Sequence, residues 1–98
     1  MKAVIERLNK AFENRIRLGM MSTLMVNDNI DFNSLKELLD LSDGNLASHI
    51  TALEKAGYVK VEKRFMGKKP NTIYKVTAAG KKAFVQHLDA LEELLKQR

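Results

Sequence analysis

The sequence predicts a small domain of the α+β class, mainly α with a single β-hairpin, its elements in the order α-α-β-α-α-β-β-α. Three observations carry that prediction. Apolar residues recur at three- and four-residue steps through most of the 98 residues. After Gly57 the period changes to two. Between two such alternating runs, Met66-Gly67-Lys68-Lys69-Pro70-Asn71 supplies turn chemistry. The length suits one domain, since chains divide only well beyond this size. A hydrophobic content of 45% suits a globular core.

Residues 4 to 24 read as helical through Ile5, Leu8, Phe12, Ile16, Met20 and Leu24. A break falls near Glu13-Asn14, where Asn14 can cap a second helix. Met20, Met21 and Met25 fill the core beneath it. Asn27-Asp28-Asn29 is a turn signal, and Ile30-Asp31-Phe32 alternates as a very short strand. Asn33 then caps a short helix with Leu35, Leu38 and Leu39 on one face. Leu41-Ser42-Asp43-Gly44 interrupts it, and Ser42 caps the next helix by accepting from the amide of Asn45. Leu46, Ile50 and Leu53 form that helix's apolar stripe, and Gly57 suits the left-handed position beyond its end. Residues 58–65 and 72–76 read as the paired strands. Thr77 caps a long final helix carrying Phe84, Leu88, Leu91 and Leu95 at steps of four, three and four.

Charge sharpens the picture. The chain has 17 Lys/Arg against 12 Asp/Glu, a formal +5. Between Lys55 and Lys82 the bases Lys55, Lys60, Lys63, Arg64, Lys68, Lys69, Lys75, Lys81 and Lys82 face one acid, Glu62, so that this segment is strongly positive and the rest mildly acidic. A solvated strand face can carry such charge; it is also the footprint of a nucleic-acid binder. The absence of cysteine excludes disulfides, thiolate metal sites and a cysteine nucleophile. His49 and His87 stand 38 residues apart with no zinc-ligand spacing, so neither metal nor cofactor is expected. No phosphate-cradling glycine loop, H-E-x-x-H or GxSxG elbow is present, and no enzyme is expected. Apolar runs are too short to span a membrane, and Met1-Lys2-Ala3-Val4-Ile5-Glu6 meets charge too early for a signal peptide. A cytoplasmic location is the expectation.

Two short helices around a tight turn, with a hairpin directly behind them, make a winged helix-turn-helix: the first helix braces the second, which is narrow enough for a DNA major groove. The chain then reads as a single winged-helix domain over 1–98, with a core at 14–77 and terminal helices at 1–13 and 78–98. Asp31-Phe32-Asn33-Ser34-Leu35 through Leu41-Ser42-Asp43-Gly44-Asn45-Leu46-Ala47-Ser48-His49-Ile50 resembles the short winged-helix transcriptional regulators of MarR/ArsR type. So do Leu53-Glu54-Lys55-Ala56-Gly57-Tyr58-Val59, the wing Gly67-Lys68-Lys69-Pro70-Asn71-Thr72, and Val76-Thr77-Ala78-Ala79-Gly80. Their joint occurrence over residues 14 to 95 carries the resemblance. It implies a homodimer on a pseudo-palindromic operator, usually as a repressor. The missing cysteines remove thiolate metal sensing of the ArsR kind, and the chain is shorter than MarR proteins that hold aromatic acids. The effector stays unspecified.

At 100° per residue, the face opposite Leu46, Ile50 and Leu53 carries Gly44, Ser48, Thr51 and Lys55, flanked by Asn45 and Ala52. Asn45 and Ser48 suit base edges; Thr51 and Lys55 suit edges or phosphates. His49, at the edge of the apolar stripe, suits packing or capping, and the resemblance adds it to the DNA-contacting set. Because Lys55 is that helix's only cation and Asp43 sits at its start, affinity is expected to come mainly from Lys63, Arg64, Lys68 and Lys69 of the wing, with Asn71 as a further wing contact. Lysines there also protect a strand edge. The terminal stripes, Ile5, Leu8 and Phe12 with Phe84, His87, Leu88, Leu91 and Leu95, exceed what a small core absorbs and are expected at a two-fold dimer interface. Recognition helices would then stand about 34 Å apart, one DNA turn. The expected function is a dimeric DNA-binding regulator reading DNA with helix 43–56 and wing 63–72. The alternatives are a non-specific architectural DNA binder and a winged-helix module that binds protein.

Overall fold

The four longer helices each begin where a side chain can satisfy free backbone amides. In a computed structural model describing residues 1–96, the chain forms α1 (Lys2–Glu6), a 3₁₀ turn (Lys10–Phe12), α2 (Arg15–Met25), β1 (Ile30–Asp31), α3 (Phe32–Leu39), α4 (Asp43–Lys55), β2 (Val59–Met66), β3 (Lys69–Val76) and α5 (Ala78–Leu95). Gln97 and Arg98, the end of the terminal segment 78–98, lie outside the described residues. The apolar period at the start thus resolves into two helices and a 3₁₀ turn. Asn9 Oδ1 caps the 3₁₀ turn through the amide of Ala11, and Asn14 Oδ1 caps α2 through the amides of Ile16 and Arg17.

The three strands form one antiparallel sheet in the order β1-β3-β2. β1 reaches only Ile73 and Tyr74 of β3. Beyond that reach the hairpin of β2 and β3 stands alone, which is why Pro70 is tolerated inside a strand: it occupies an edge. Val59 pairs with Val76 at the base and Met66 with Lys69 at the tip. The turn is therefore only Gly67-Lys68, shorter than the sequence suggests. Gly67, at φ +65°, supplies the positive φ that a two-residue hairpin of the II′ kind needs at its first position. A second correction concerns α3. Its cap is Asp31, whose carboxylate accepts from the amide of Ser34 at 3.2 Å and its hydroxyl at 2.5 Å. Those bonds, the hydroxyl's foremost and against slight desolvation, hold the Asp31 carboxyl below its usual range. Asn33, already inside α3, is exposed.

The core gathers Phe12, Met20, Met21, Leu24, Leu35, Leu46, Ile50, Leu53, Val59, Tyr74 and Phe84. Each fully buried leucine contributes about 2 kcal/mol. Phe12 sits at its hub, its ring centroid 5.1 Å from Phe84 and 5.2 Å from Tyr58. His87 completes this cluster, 5.4 Å from Phe12, with Nδ1 accepting from the backbone amide of Asn9 at 2.9 Å.

These contacts revise the terminal stripe. Phe12, Phe84 and His87 are 1%, 2% and 3% exposed in the single chain. They are core residues and have no surface to offer a partner. The face that α5 turns inward holds Gly80, Phe84, His87 and Ala90. Leu88, Leu91 and Leu95 lie beside it and are exposed, as is Ile5, while Leu8 is half-buried.

Candidate nucleic-acid interface

Helix α4 is fixed at both ends and along its inner side. Ser42 Oγ accepts from the amide of Asn45 at 3.2 Å. At the other end, the amide of Tyr58 donates to the carbonyl of Leu53 and that of Gly57 to Glu54, the paired bonds of a Schellman motif. Gly57, at φ +82°, makes the left-handed step this requires. Leu46, Ile50 and Leu53 are buried, so Gly44, Asn45, Ala47, Ser48, Thr51, Ala52 and Lys55 are all turned to solvent.

Of the residues read from the sequence, His49 departs from that face. Its ring is half-buried, and Nδ1 accepts from the guanidinium of Arg17 at 3.1 Å. Burial first, and the Arg17 charge second, push the His49 pKa down, so the ring is neutral with its proton on Nε2. Arg17 in turn donates from Nε to the carbonyl of Ala11 at 2.7 Å. One arginine therefore joins the 3₁₀ turn, α2 and α4. Spacing could not reveal this, because the partners stand 32 residues apart.

Two further features were hidden in the sequence. Asp43, whose charge would repel phosphate, is paired with Lys36 Nζ at 2.7 Å across the helix-turn-helix. Ala47, which the sequence does not place among the DNA-contacting residues, joins Ser48, Thr51, Ala52 and Lys55 around a shallow depression on the outer face of α4. Thr51 donates its hydroxyl to the carbonyl of Ala47 at 2.8 Å. Its hydroxyl proton is thereby engaged, which leaves the methyl group and the oxygen's acceptor capacity for a ligand.

On the hairpin, alternate residues point to opposite faces. Lys60 and Arg64, with Lys75 of β3, surround Glu62 at 3.4–3.5 Å. Desolvation raises the Glu62 pKa, but the ammonium groups of Lys75 and Lys60 outweigh it and hold the carboxyl low. Lys63, Lys68 and Lys69 have no carboxylate within ion-pair distance among the described residues. Asn71 donates to the sulfur of Met66 at 3.3 Å. Positive charge at the wing is thus divided: Arg64 is shared with an acid, and the three lysines are free.

One joint holds helix, wing and α5 in register. Thr77 Oγ1 donates to the carbonyl of Gly57 at 2.7 Å and accepts from the amide of Gly80 at 2.9 Å. The amide of Thr77 donates to the carbonyl of Tyr58 at 3.0 Å. Gly80 packs so closely that a Cβ there would lie 2.2 Å from that carbonyl oxygen. The Gly57-Tyr58 and Thr77-Ala78-Ala79-Gly80 segments, distant in sequence, are two halves of a single contact.

Among the described residues no three His, Cys, Asp or Glu side chains are grouped to hold a metal, and no helix is long and apolar enough to cross a membrane.

Residues 16–95 match the family profile of the winged helix DNA-binding domain. An uncharacterised protein of Methanocaldococcus jannaschii is 34% identical over 87 residues, covering 89% of this chain and 95% of that protein. Among solved structures, a transcriptional regulator homologue from Pyrococcus horikoshii superposes with a TM-score of 0.88 at 31% identity, covering 98% of this chain and 96% of its own. HlyU from Vibrio cholerae gives 0.68 at 25% identity, covering 98% and 96%. AbfR, solved bound to DNA, shares the fold with a TM-score of 0.76 at 22% identity, over 95% of this chain and 68% of its own. With the capped helix α4, the basic hairpin and this match over most of its length, the chain belongs to the winged-helix DNA-binding transcriptional regulators.

Proposed function

We propose that this protein is a homodimeric, cytoplasmic repressor that reads a pseudo-palindromic operator, with helix 43–56 in the major groove and wing 63–72 on the flanking backbone. The observation that carries the reading is the division of labour between two neighbouring surfaces. The outer face of α4 is exposed and polar, with Asn45 and Ser48 free at its start, whereas the wing beside it holds Lys63, Lys68 and Lys69 without acidic partners among the described residues. Asn45 offers the donor–acceptor pair that adenine presents in reverse, Ser48 accepts either base type, and the methyls of Ala47, Thr51 and Ala52 suit the C5-methyl of thymine. Without Arg near its start, α4 lacks the commonest guanine reader. We therefore infer a half-site rich in A·T pairs.

The dimer is supported by an apolar strip that one protomer leaves open: Ile5 on α1 and Leu88, Leu91 and Leu95 on α5, with Leu8 at its border. Such a strip suits a self-complementary two-fold contact. Phe12, Phe84 and His87 stand behind it as support.

Selection of bound fragments from a random duplex pool tests the reading. Enrichment of an inverted repeat with A·T-rich halves is the expected outcome. Retention without any motif would instead make the protein an architectural binder, the outcome favoured by the single cation on α4. Failure to retain duplex at all would leave a protein-binding module.

A further inference from the structure

Phe65 is the one exposed aromatic side chain among the described residues. It is 75% exposed, lies opposite Pro70 across the hairpin, and stands two residues from the turn. The strand face that carries it buries Val59 and Tyr74 nearer the base, whereas Phe65 stands out toward the tip, beside a depression that it shares with Asp31 and Ser34 at the start of α3. The neighbouring Met66 is also exposed, but it points to the other face, where its sulfur accepts from Asn71. Phe65 has no ring partner among the described residues.

What surrounds the ring identifies its ligand. Lys63 lies on the same face, and Lys68 and Lys69 form the tip. A second wing of the same charge would be repelled there, whereas a polyanion with an apolar interior is attracted. Duplex DNA has that composition: phosphates along the groove walls, and sugars and stacked bases between them. The minor groove is about 6 Å wide, too narrow for a two-stranded ribbon with side chains unless it opens. Apolar side chains pressed between base steps open it and bend the duplex toward the major groove.

Resting on the DNA-binding reading above, we propose that Phe65, backed by Pro70, is a minor-groove wedge that unstacks a base step beside the half-site and bends the duplex. Lys63, Lys68 and Lys69 neutralise the phosphates on either side. The step it favours is a pyrimidine–purine step, which is the easiest to unstack. Sequence preference then extends to positions that α4 does not reach.

The test uses the full chain and the duplex enriched from the random pool, or a mixed-sequence duplex if none enriches, with donor and acceptor fluorophores at its ends. The unaltered protein should raise energy transfer between the ends. Phe65→Ala should lose most of that rise and bind about tenfold more weakly, in line with the worth of one aromatic–base stack. Phe65→Leu should fall between them. The salt slope should not change, because no cation is removed. Thermal unfolding of both variants should match the parent, the ring being exposed. Bending and affinity in Phe65→Ala equal to the parent, or a duplex left straight by the parent, would overturn the wedge while sparing DNA binding. So would loss of the dimer in Phe65→Ala by sedimentation, which would place the ring between copies. Failure of the parent to bind any duplex would overturn both readings.

Discussion

Helix α4 carries a single cation, Lys55, on a body whose inner stripe is packed against the core, whereas the hairpin beyond Glu62 and Ile73 carries Lys63, Arg64, Lys68 and Lys69 on strands whose ladder pairs only with each other. The helix is rigid, short of charge and lined with small groups; the wing is charged and thinly supported. Rigidity suits discrimination, which depends on atoms being held in place. Charge suits affinity, which depends on how many phosphates are met and little on their sequence. Mutations should therefore separate stability, affinity and specificity by region.

The largest effect should come from the packed side of α4. Leu53→Ala should cost about 3 kcal/mol of folding stability, measured by urea denaturation; a loss within experimental error would deny the helix its rigid seat. Next, Lys63→Ala, Lys68→Ala and Lys69→Ala combined should leave stability within about 0.5 kcal/mol of the parent and flatten the dependence of log K on log salt by about one unit per lysine. Arg64→Ala should change that slope less, because Glu62 already shares its charge. An Arg64 effect equal to the lysines' would erase the proposed division of the wing. A smaller effect belongs to the outer face of α4. Replacing thymine by uracil in the half-site should weaken binding about fourfold, the worth of one buried methyl, and Thr51→Ser should remove part of that sensitivity. Uracil-insensitive binding would remove Thr51 from base reading.

The smallest effect should appear on acidification. Burial holds the His87 pKa down, against a weaker opposite pull from Glu13, and burial with Arg17 does the same for His49. The unfolded chain therefore takes up protons first. The stabilisation is complete above the unfolded value near 6.5 and is lost progressively as pH falls below it. Urea midpoints measured across that window should decline, and His87→Gln should flatten the decline. A midpoint that rises on acidification would contradict the sign.

Residues that act locally were legible in the sequence. Asn14, Ser42 and Thr77 cap the helices they precede, and Gly57 sits at the switch from a period of 3.6 to two, because those bonds span only a few residues. Asp31 and Asn33 were harder to separate: both are favoured caps, and the hydroxyl of Ser34 decides for Asp31. The wing's lysines were visible as charge, but which of them is free depends on the cross-strand position of Glu62. The terminal stripes exposed a deeper limit. Periodicity marks an apolar face without saying whose surface covers it, so Phe12, Phe84 and His87 looked the same as Leu88 and Leu91. The polar type of His87 gave no hint that a backbone amide 78 residues away would satisfy it.

The contact of Gly57, Tyr58, Thr77 and Gly80 has a mechanical consequence. It welds the exit of α4, the root of the wing and the first turn of α5 at one point, with no compressible side chain between them. The exit of α4, the root of the hairpin and the first turn of α5 therefore cannot shift independently at this point. Helix α5, 18 residues and about 27 Å long, thus starts from a fixed point and is held again further along by Phe84 and His87 in the core. Gly80→Ala would force a Cβ against the Tyr58 carbonyl, and its effect would appear as a loss of stability with the first turn of α5 pushed away from the hairpin's root.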